Sequence, residues 1–130
     1  MNFEEYAAKP ILAEVGIGVP KSILCMTPEA VAQAAEEMGA CVIKAQVPTG
    51  KRGKAGGIQL ADSADQAKAH AEKIIGMELN GYVVEKVLVE AASSIVREFY
   101  AAILNDPKTK GPVVMFSTEG GMDIEEIAAD

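Results

Sequence analysis

The sequence predicts an α+β (α/β) architecture in which a strand hairpin carries a cationic, glycine-rich loop. Three observations point there. Helix-like and strand-like segments alternate along the 130 residues. Apolar residues make up 49% of the chain but aromatics only 5%, so the core must be built from Val, Ile, Leu, Ala and Met, which suits small-residue helices on a sheet. A basic, glycine-rich stretch lies between two segments of strand character. The length fits a single domain, by the prior of roughly 100–200 residues per domain, and such a chain can bury a core.

Residues 2–15 are predicted as a helix. Asn2 and Glu5 stand at capping-box spacing, with Asn where Ser or Thr is usual. Phe3, Tyr6, Ile11, Leu12 and Val15 fall near one face, and Pro10 should kink or divide the helix. Residues 16–20 (GIGVP) form a linker or strand entry, and 21–26 look extended. Thr27-Pro28-Glu29 opens a second helix with an N-cap, a first-turn proline and an acid at the positive end of the dipole. That helix runs to Met38, where Gly39 stops it. Residues 41–47 (CVIKAQV) are predicted as a strand and 57–61 as its returning partner. Ser63 and Gln66 form a second capping box, opening a helix that ends before Gly76. Residues 81–91 alternate with period two and are predicted as one strand. A further strand is predicted over 95–105, turn chemistry over 106–112 and a return over 113–117. Residues 118–130 begin another element.

The formal net charge of −7 and pI near 4.7 argue against general binding to nucleic acid or an anionic membrane, because like charges repel. No apolar run approaches the roughly 20 residues of a membrane span, and the first ten residues resemble neither a signal nor a transit peptide. Cys25 and Cys41 match no metal spacing; they are expected to be reduced thiols, at least partly buried, in a cytoplasmic protein. The single histidine, His70, is expected on a helix surface. One histidine provides neither a metal-ligand set nor a Ser/His/Asp triad, so no catalytic or metal residue is assigned. Ser93 and Ser94 suit a turn better than nucleophilic chemistry.

The stretch from Lys44 to Gly57, KAQVPTGKRGKAGG, gathers Lys44, Lys51, Arg52 and Lys54 with four glycines and no acid, a third of the twelve basic residues. Glycines let backbone N–H groups approach an oxyanion and permit positive φ. Arginine can hold two oxygens at once. Lys44 falls in mid-strand, where a lysine is costly unless it meets an anion. This chemistry suits a phosphate or nucleotide, although neither GxxxxGK[ST] nor GxGxxG is present. The alternatives are a solvated hairpin turn and an RNA-phosphate loop, the latter without an interleaved aromatic to stack bases. Glu90 and Glu98 could accept hydrogen bonds from ribose hydroxyls, adenine N–H groups or metal-bound water. Glu85 suits a solvent-facing strand position.

Four blocks in order, MNFEEYAAKPIL…GVP, VIKAQVPTGKRGKAGG, VLVEAASSIVREFY and STEGGMDIEEIA, resemble the β subunit of succinyl-CoA synthetase (ADP-forming succinate–CoA ligase). Malate–CoA ligase and ATP-citrate lyase are close relatives of that family. The resemblance covers the whole chain but only about the first third of the family's chain. It implies an ATP-grasp fold, with 20–94 as a complete nucleotide-binding lobe and with 1–19 and 95–130 as parts of an incomplete second lobe. It implies ATP or GTP as the nucleotide, an α-subunit partner carrying a phosphohistidine, and succinate and CoA as substrates of the complete enzyme. The family's Mg2+ ligands, an Asn and an Asp, belong to sequence beyond these residues. Carried over by motif, the nucleotide-binding lysine is Lys44, the phosphate loop is Lys51, Arg52 and Gly53, and the base and ribose contacts are Glu90, the position of Ser93, and Glu98. Two departures stand out: Lys51 replaces the first glycine of the family's loop triplet, and Pro48 replaces a common histidine. Phosphoryl transfer needs magnesium to offset charge, so the isolated chain is expected to be inactive. Its outer strands are expected to expose an unpaired edge and an apolar face. The alternative is a stand-alone, non-catalytic nucleotide-binding or interaction module.

Overall fold

A computed structural model describes residues 3–118. The chain divides into two compact units, Met1–Ser93 and Ser94–Asp130. In the first lie α1 (Glu5–Glu14), β1 (Ser22–Cys25), α2 (Pro28–Met38), β2 (Cys41–Ala45), β3 (Ile58–Ala61), α3 (Ala64–Ile74), β4 (Glu78–Leu79), β5 (Tyr82–Val83) and β6 (Val87–Ala91). In the second lie β7 (Tyr100–Asp106) and β8 (Gly111–Ser117).

The first unit is built on an antiparallel sheet of order β1-β6-β2-β3. Side chains alternate across a strand, and the register converts that alternation into two faces. Ile43 lies opposite Val89, and Ala45 opposite Val87. Together with Cys41 and Cys25 these fully buried residues form one face. Val31, Ala34 and Ala35 of α2 and Ala67, Ala71 and Ile74 of α3 close over it. The alanines let the helices pack close to the sheet and to each other. Both helices begin as expected. Thr27 Oγ1 accepts from the Ala30 N–H at 3.2 Å, and Ser63 Oγ accepts from the Gln66 N–H at 3.3 Å. The Gln66 side chain accepts from the Asp62 N–H at 2.8 Å, one residue ahead of the N-cap. The expected hairpin around the cationic loop is present as β2–β3, although β2 ends at Ala45.

The opposite sheet face carries Val42, Lys44, Leu88 and Glu90, and α1 is joined to it by ion pairs. Asn2 lies outside the described residues. The helix starts at Glu5, with Glu4 as an extended N-cap that makes no side-chain cap bond. Pro10 lies inside α1 without dividing it.

The predicted strand over 81–91 is corrected. Asn80 (φ 51°) and Gly81 (φ 84°) adopt left-handed conformations and close a two-residue hairpin between β4 and β5, as an Asn-Gly pair favours. The Val84 N–H then bonds Met77 O at 2.9 Å, whereas Lys86 O accepts from the Gln46 N–H at 3.1 Å. The chain changes pairing partner between those residues, so β6 begins only at Val87.

In the second unit β7 and β8 form a hairpin in register from Tyr100–Ser117 to Asp106–Gly111. The strand predicted from residue 95 begins at Tyr100. Asp106 organises the turn by accepting from the Lys108 N–H and the Thr109 hydroxyl. The Phe99 and Phe116 rings stack with centroids 5.8 Å apart. Among the described residues the ribbon pairs with no third strand, and Ile103, Val114 and Phe116 are exposed. The element expected after Thr118 falls on residues outside the described range.

Candidate functional site

Lys44 points away from the core helices, between Ile58 of β3 and Leu88 of β6 in the register. A lysine there needs an anion, and the protein provides two. Its ammonium donates to Glu5 Oε1 at 2.9 Å and to Glu90 Oε1 at 2.7 Å. Lys9, one helical turn after Glu5, pairs with the second oxygen of Glu90. Arg52 reaches back from the loop: Nη1 donates to Ala45 O at 2.7 Å, and Nη2 donates to Glu5 Oε2 at 2.9 Å. Glu5 therefore bridges Lys44 and Arg52 with one oxygen each. Among the described residues, three cations face two carboxylates, which leaves one positive charge in excess.

All five side chains are largely withdrawn from water. Burial pushes the Glu5 carboxyl up, but hydrogen bonds and charge from Lys44 and then Arg52 outweigh it and hold the group below its ordinary value of 4.5. Further polar contacts secure the start of α1. The Tyr6 N–H, one of the helix's unpaired N-terminal donors, gives its proton to Gln46 Oε1 at 2.9 Å. Buried Gln46 also donates to Lys44 O at 3.0 Å. Lys86 pairs with Glu4 at 2.9 Å and lies 5.4 Å from the Tyr6 ring centroid, within cation–π range.

The loop after β2 coils on itself. The Gly57 N–H bonds Arg52 O at 2.8 Å and the Gly56 N–H bonds Gly53 O at 3.1 Å, so these two amides serve the loop's own fold. Gly57 is needed for close approach: a Cβ there would lie 2.8 Å from Leu79 Cδ1 and 3.2 Å from both Ala45 Cβ and Arg52 O. Lys51, where the resembled family has glycine, takes φ 60°, a left-handed conformation that glycine adopts without strain.

Two open clefts adjoin the ion pairs. One of about 450 Å³ is lined by Phe3, Glu5, Pro48, Thr49, Gly50 and Arg52 among others. Another of about 450 Å³ has Lys9, Pro20, Leu24 and Leu88 in its lining. The network thus runs from one cleft to the other, with Arg52 and Glu5 at the first and Lys9 at the second.

Of the residues singled out from sequence, Lys44, Arg52 and Glu90 come together. Lys51 and Gly53 are exposed beside Arg52, and Ser93 is exposed just past β6. Glu98 is exposed in the second unit. Glu90 is buried at 7% exposure, with its oxygens on Lys44 and Lys9. Sequence reasoning missed Glu5 as a partner of the cations, and it missed Lys9, Tyr6 and Gln46. The one available signal was the i, i+4 spacing of Glu5 and Lys9 on a helix. His70 is partly exposed on α3, where it lines a small cleft. Cys25 and Cys41 are buried free thiols. Among the described residues no group of three or more His, Cys, Asp or Glu could hold a metal, and no helix is long and apolar enough to cross a membrane.

The chain belongs to the ATP-grasp family: the model of the ATP-grasp domain matches residues 2–130. Within that family it is similar to β subunits of succinate–CoA ligases. It is 50% identical over 131 residues to the GDP-forming β subunit of Thermus thermophilus, covering 100% of this chain and 35% of that protein. It is also 50% identical over 131 residues to the ADP-forming β subunit of Haloarcula marismortui, covering 100% of this chain and 34% of that protein. The chain thus spans about a third of the length of these curated relatives. Among solved structures, PH1788 from Pyrococcus horikoshii aligns with a TM-score of 0.78 at 26% identity, over 97% of this chain and 55% of that one.

Proposed function

We propose that these residues are the nucleotide-binding part of the β subunit of an acid–CoA ligase. In the complete enzyme ATP or GTP and succinyl-CoA would be interconverted through a phosphohistidine on an α subunit. The observation that carries this reading is the convergence of Lys44 and Arg52 on the two oxygens of one carboxylate. Two cations from separate elements, aimed at one pair of oxygens, are what a phosphate requires. The similarity to one GDP-forming and one ADP-forming subunit supports the ligase class and keeps both nucleotides in view.

In this reading Lys44 and Arg52 hold phosphate oxygens, while Lys51 and Gly53 shape the loop beside them. Glu90, Ser93 and Glu98 take the ribose and base side. Residues 20–94 form one lobe, and 1–19 with 95–130 contribute to the second. Magnesium would offset phosphate charge, but the described residues contain no three-ligand cluster for it, so no metal role is assigned to them. The chain's own part is to bind and orient the nucleotide, and we expect no turnover without the remaining sequence and the α subunit.

The test is a ¹⁵N–¹H correlation spectrum of the chain titrated with ATP. Shifts at Lys44, Gly50–Gly57 and Glu90, abolished in Lys44→Ala, are expected. A dispersed spectrum that ignores ATP would overturn the reading.

A further inference from the structure

The two cations assigned above to phosphate already hold a carboxylate of their own chain. Resting on that nucleotide reading, we propose that α1 is a displaceable latch: Glu5 occupies the place of a nucleotide phosphate, and phosphate binding lifts α1 from the sheet face.

Geometry gives the first argument. Glu5 presents one oxygen to Lys44 and the other to Arg52, both at 2.9 Å, as two oxygens of a phosphate would. Among the described residues, the other hydrogen bonds of these cations go to Glu90 Oε1 and Ala45 O. A phosphate that binds both cations must therefore compete with Glu5. If Glu5 stayed, a polyanion would have to share the same two donors with a carboxylate, against a cluster excess of a single positive charge. Repulsion between them favours release.

The attachment of α1 gives an independent argument. The helix has no buried residue, and Ile11, Leu12 and Val15 are exposed. Beyond Glu5 its described anchors include polar contacts: Lys86 on Glu4, Gln46 on the Tyr6 amide, and Glu90 on Lys9. Leu88 on that sheet face is buried, but α1 itself commits no fully buried side chain, and burial is the term that usually fixes a helix in place. Ten residues that include Pro10 are too few to be stable alone. The exposed connection after α1 contains Gly18 and also Gly16 at φ 83°, so its backbone has room to rearrange.

The test compares ATP binding by the wild-type chain, Glu5→Gln and Lys44→Ala, and follows amide exchange of Tyr6–Glu14 with and without ATP. A latch that is closed most of the time lowers apparent affinity by the open fraction. Glu5→Gln should therefore bind ATP roughly tenfold more tightly than wild type, for a latch open about a tenth of the time. In the wild type, ATP should accelerate exchange along α1. Equal or weaker binding by Glu5→Gln, or α1 amides equally or better protected with ATP, would overturn the latch. If Glu5→Gln fails to fold, the wild-type exchange experiment decides alone. Binding that Lys44→Ala abolishes but Glu5→Gln does not improve would remove the latch and keep the nucleotide site. No ATP binding by a folded wild type or Glu5→Gln chain would remove both.

Discussion

Lys44 and Glu5 are separated by 39 positions in the chain, and that distance explains what was legible at the residue scale. A lysine in mid-strand announces that it needs an anion, because its period-two neighbours define its face. Nothing in its local sequence says which anion. Glu5 fits a capping box equally well, and its bond to Lys44 exists only because α1 meets the sheet. The same pair yields a pH prediction. With its native pKa held below 4.5 by Lys44 and Arg52, Glu5 stabilises α1 docking in full above its unfolded value. That stabilisation is lost as pH falls through the lower native pKa. We expect α1 amide protection to persist from neutral pH to about 4.5 and then decline, and Glu5→Gln to lack this step. The α1 amides are the appropriate readout, since Glu29 and Asp106 elsewhere also have lowered pKa values.

At the scale of elements, helix ends were legible because caps are local: Thr27, Ser63 and Gly39 act within a turn of their own positions. Strand limits were less so. The alternation over 81–91 carried a one-strand expectation across a segment where the backbone switches partners, although Asn80-Gly81 just ahead of it is a hairpin signal in its own right. The cationic loop was legible in composition but not in conformation. Its return depends on Gly57 fitting among Leu79, Ala45 and the Arg52 carbonyl, a contact between elements that no spacing rule encodes. We expect Gly57→Ala to lower stability by about 1–3 kcal/mol, the usual cost of overpacking. It should also accelerate exchange of the loop amides, with α2 and α3 unchanged. Stability equal to wild type in a urea titration would show that the loop adjusts freely.

For the whole molecule, the class of architecture followed from the alternation of elements, whereas the sheet order β1-β6-β2-β3 did not, since β6 enters the middle from far along the chain. Every residue of the main apolar cluster belongs to the first unit, while the β7–β8 ribbon keeps apolar side chains exposed. The two cysteines lie in that cluster, on the sheet face turned toward α2 and α3, and α1 lies on the other side. Burial raises the pKa of both thiols, and the nearby Asp62 charge adds to the effect at Cys41. An alkylating reagent reacts with exposed thiolate, so it should modify them only when the helix layer parts from the sheet. Alkylation should therefore stay slow in wild type and Glu5→Gln while α1 comes and goes, and ATP, by stabilising the folded sheet, should slow it further rather than speed it. The chain carries a native chemical clock for unfolding that lifting of α1 does not advance, and it separates lifting of one helix from loss of the fold.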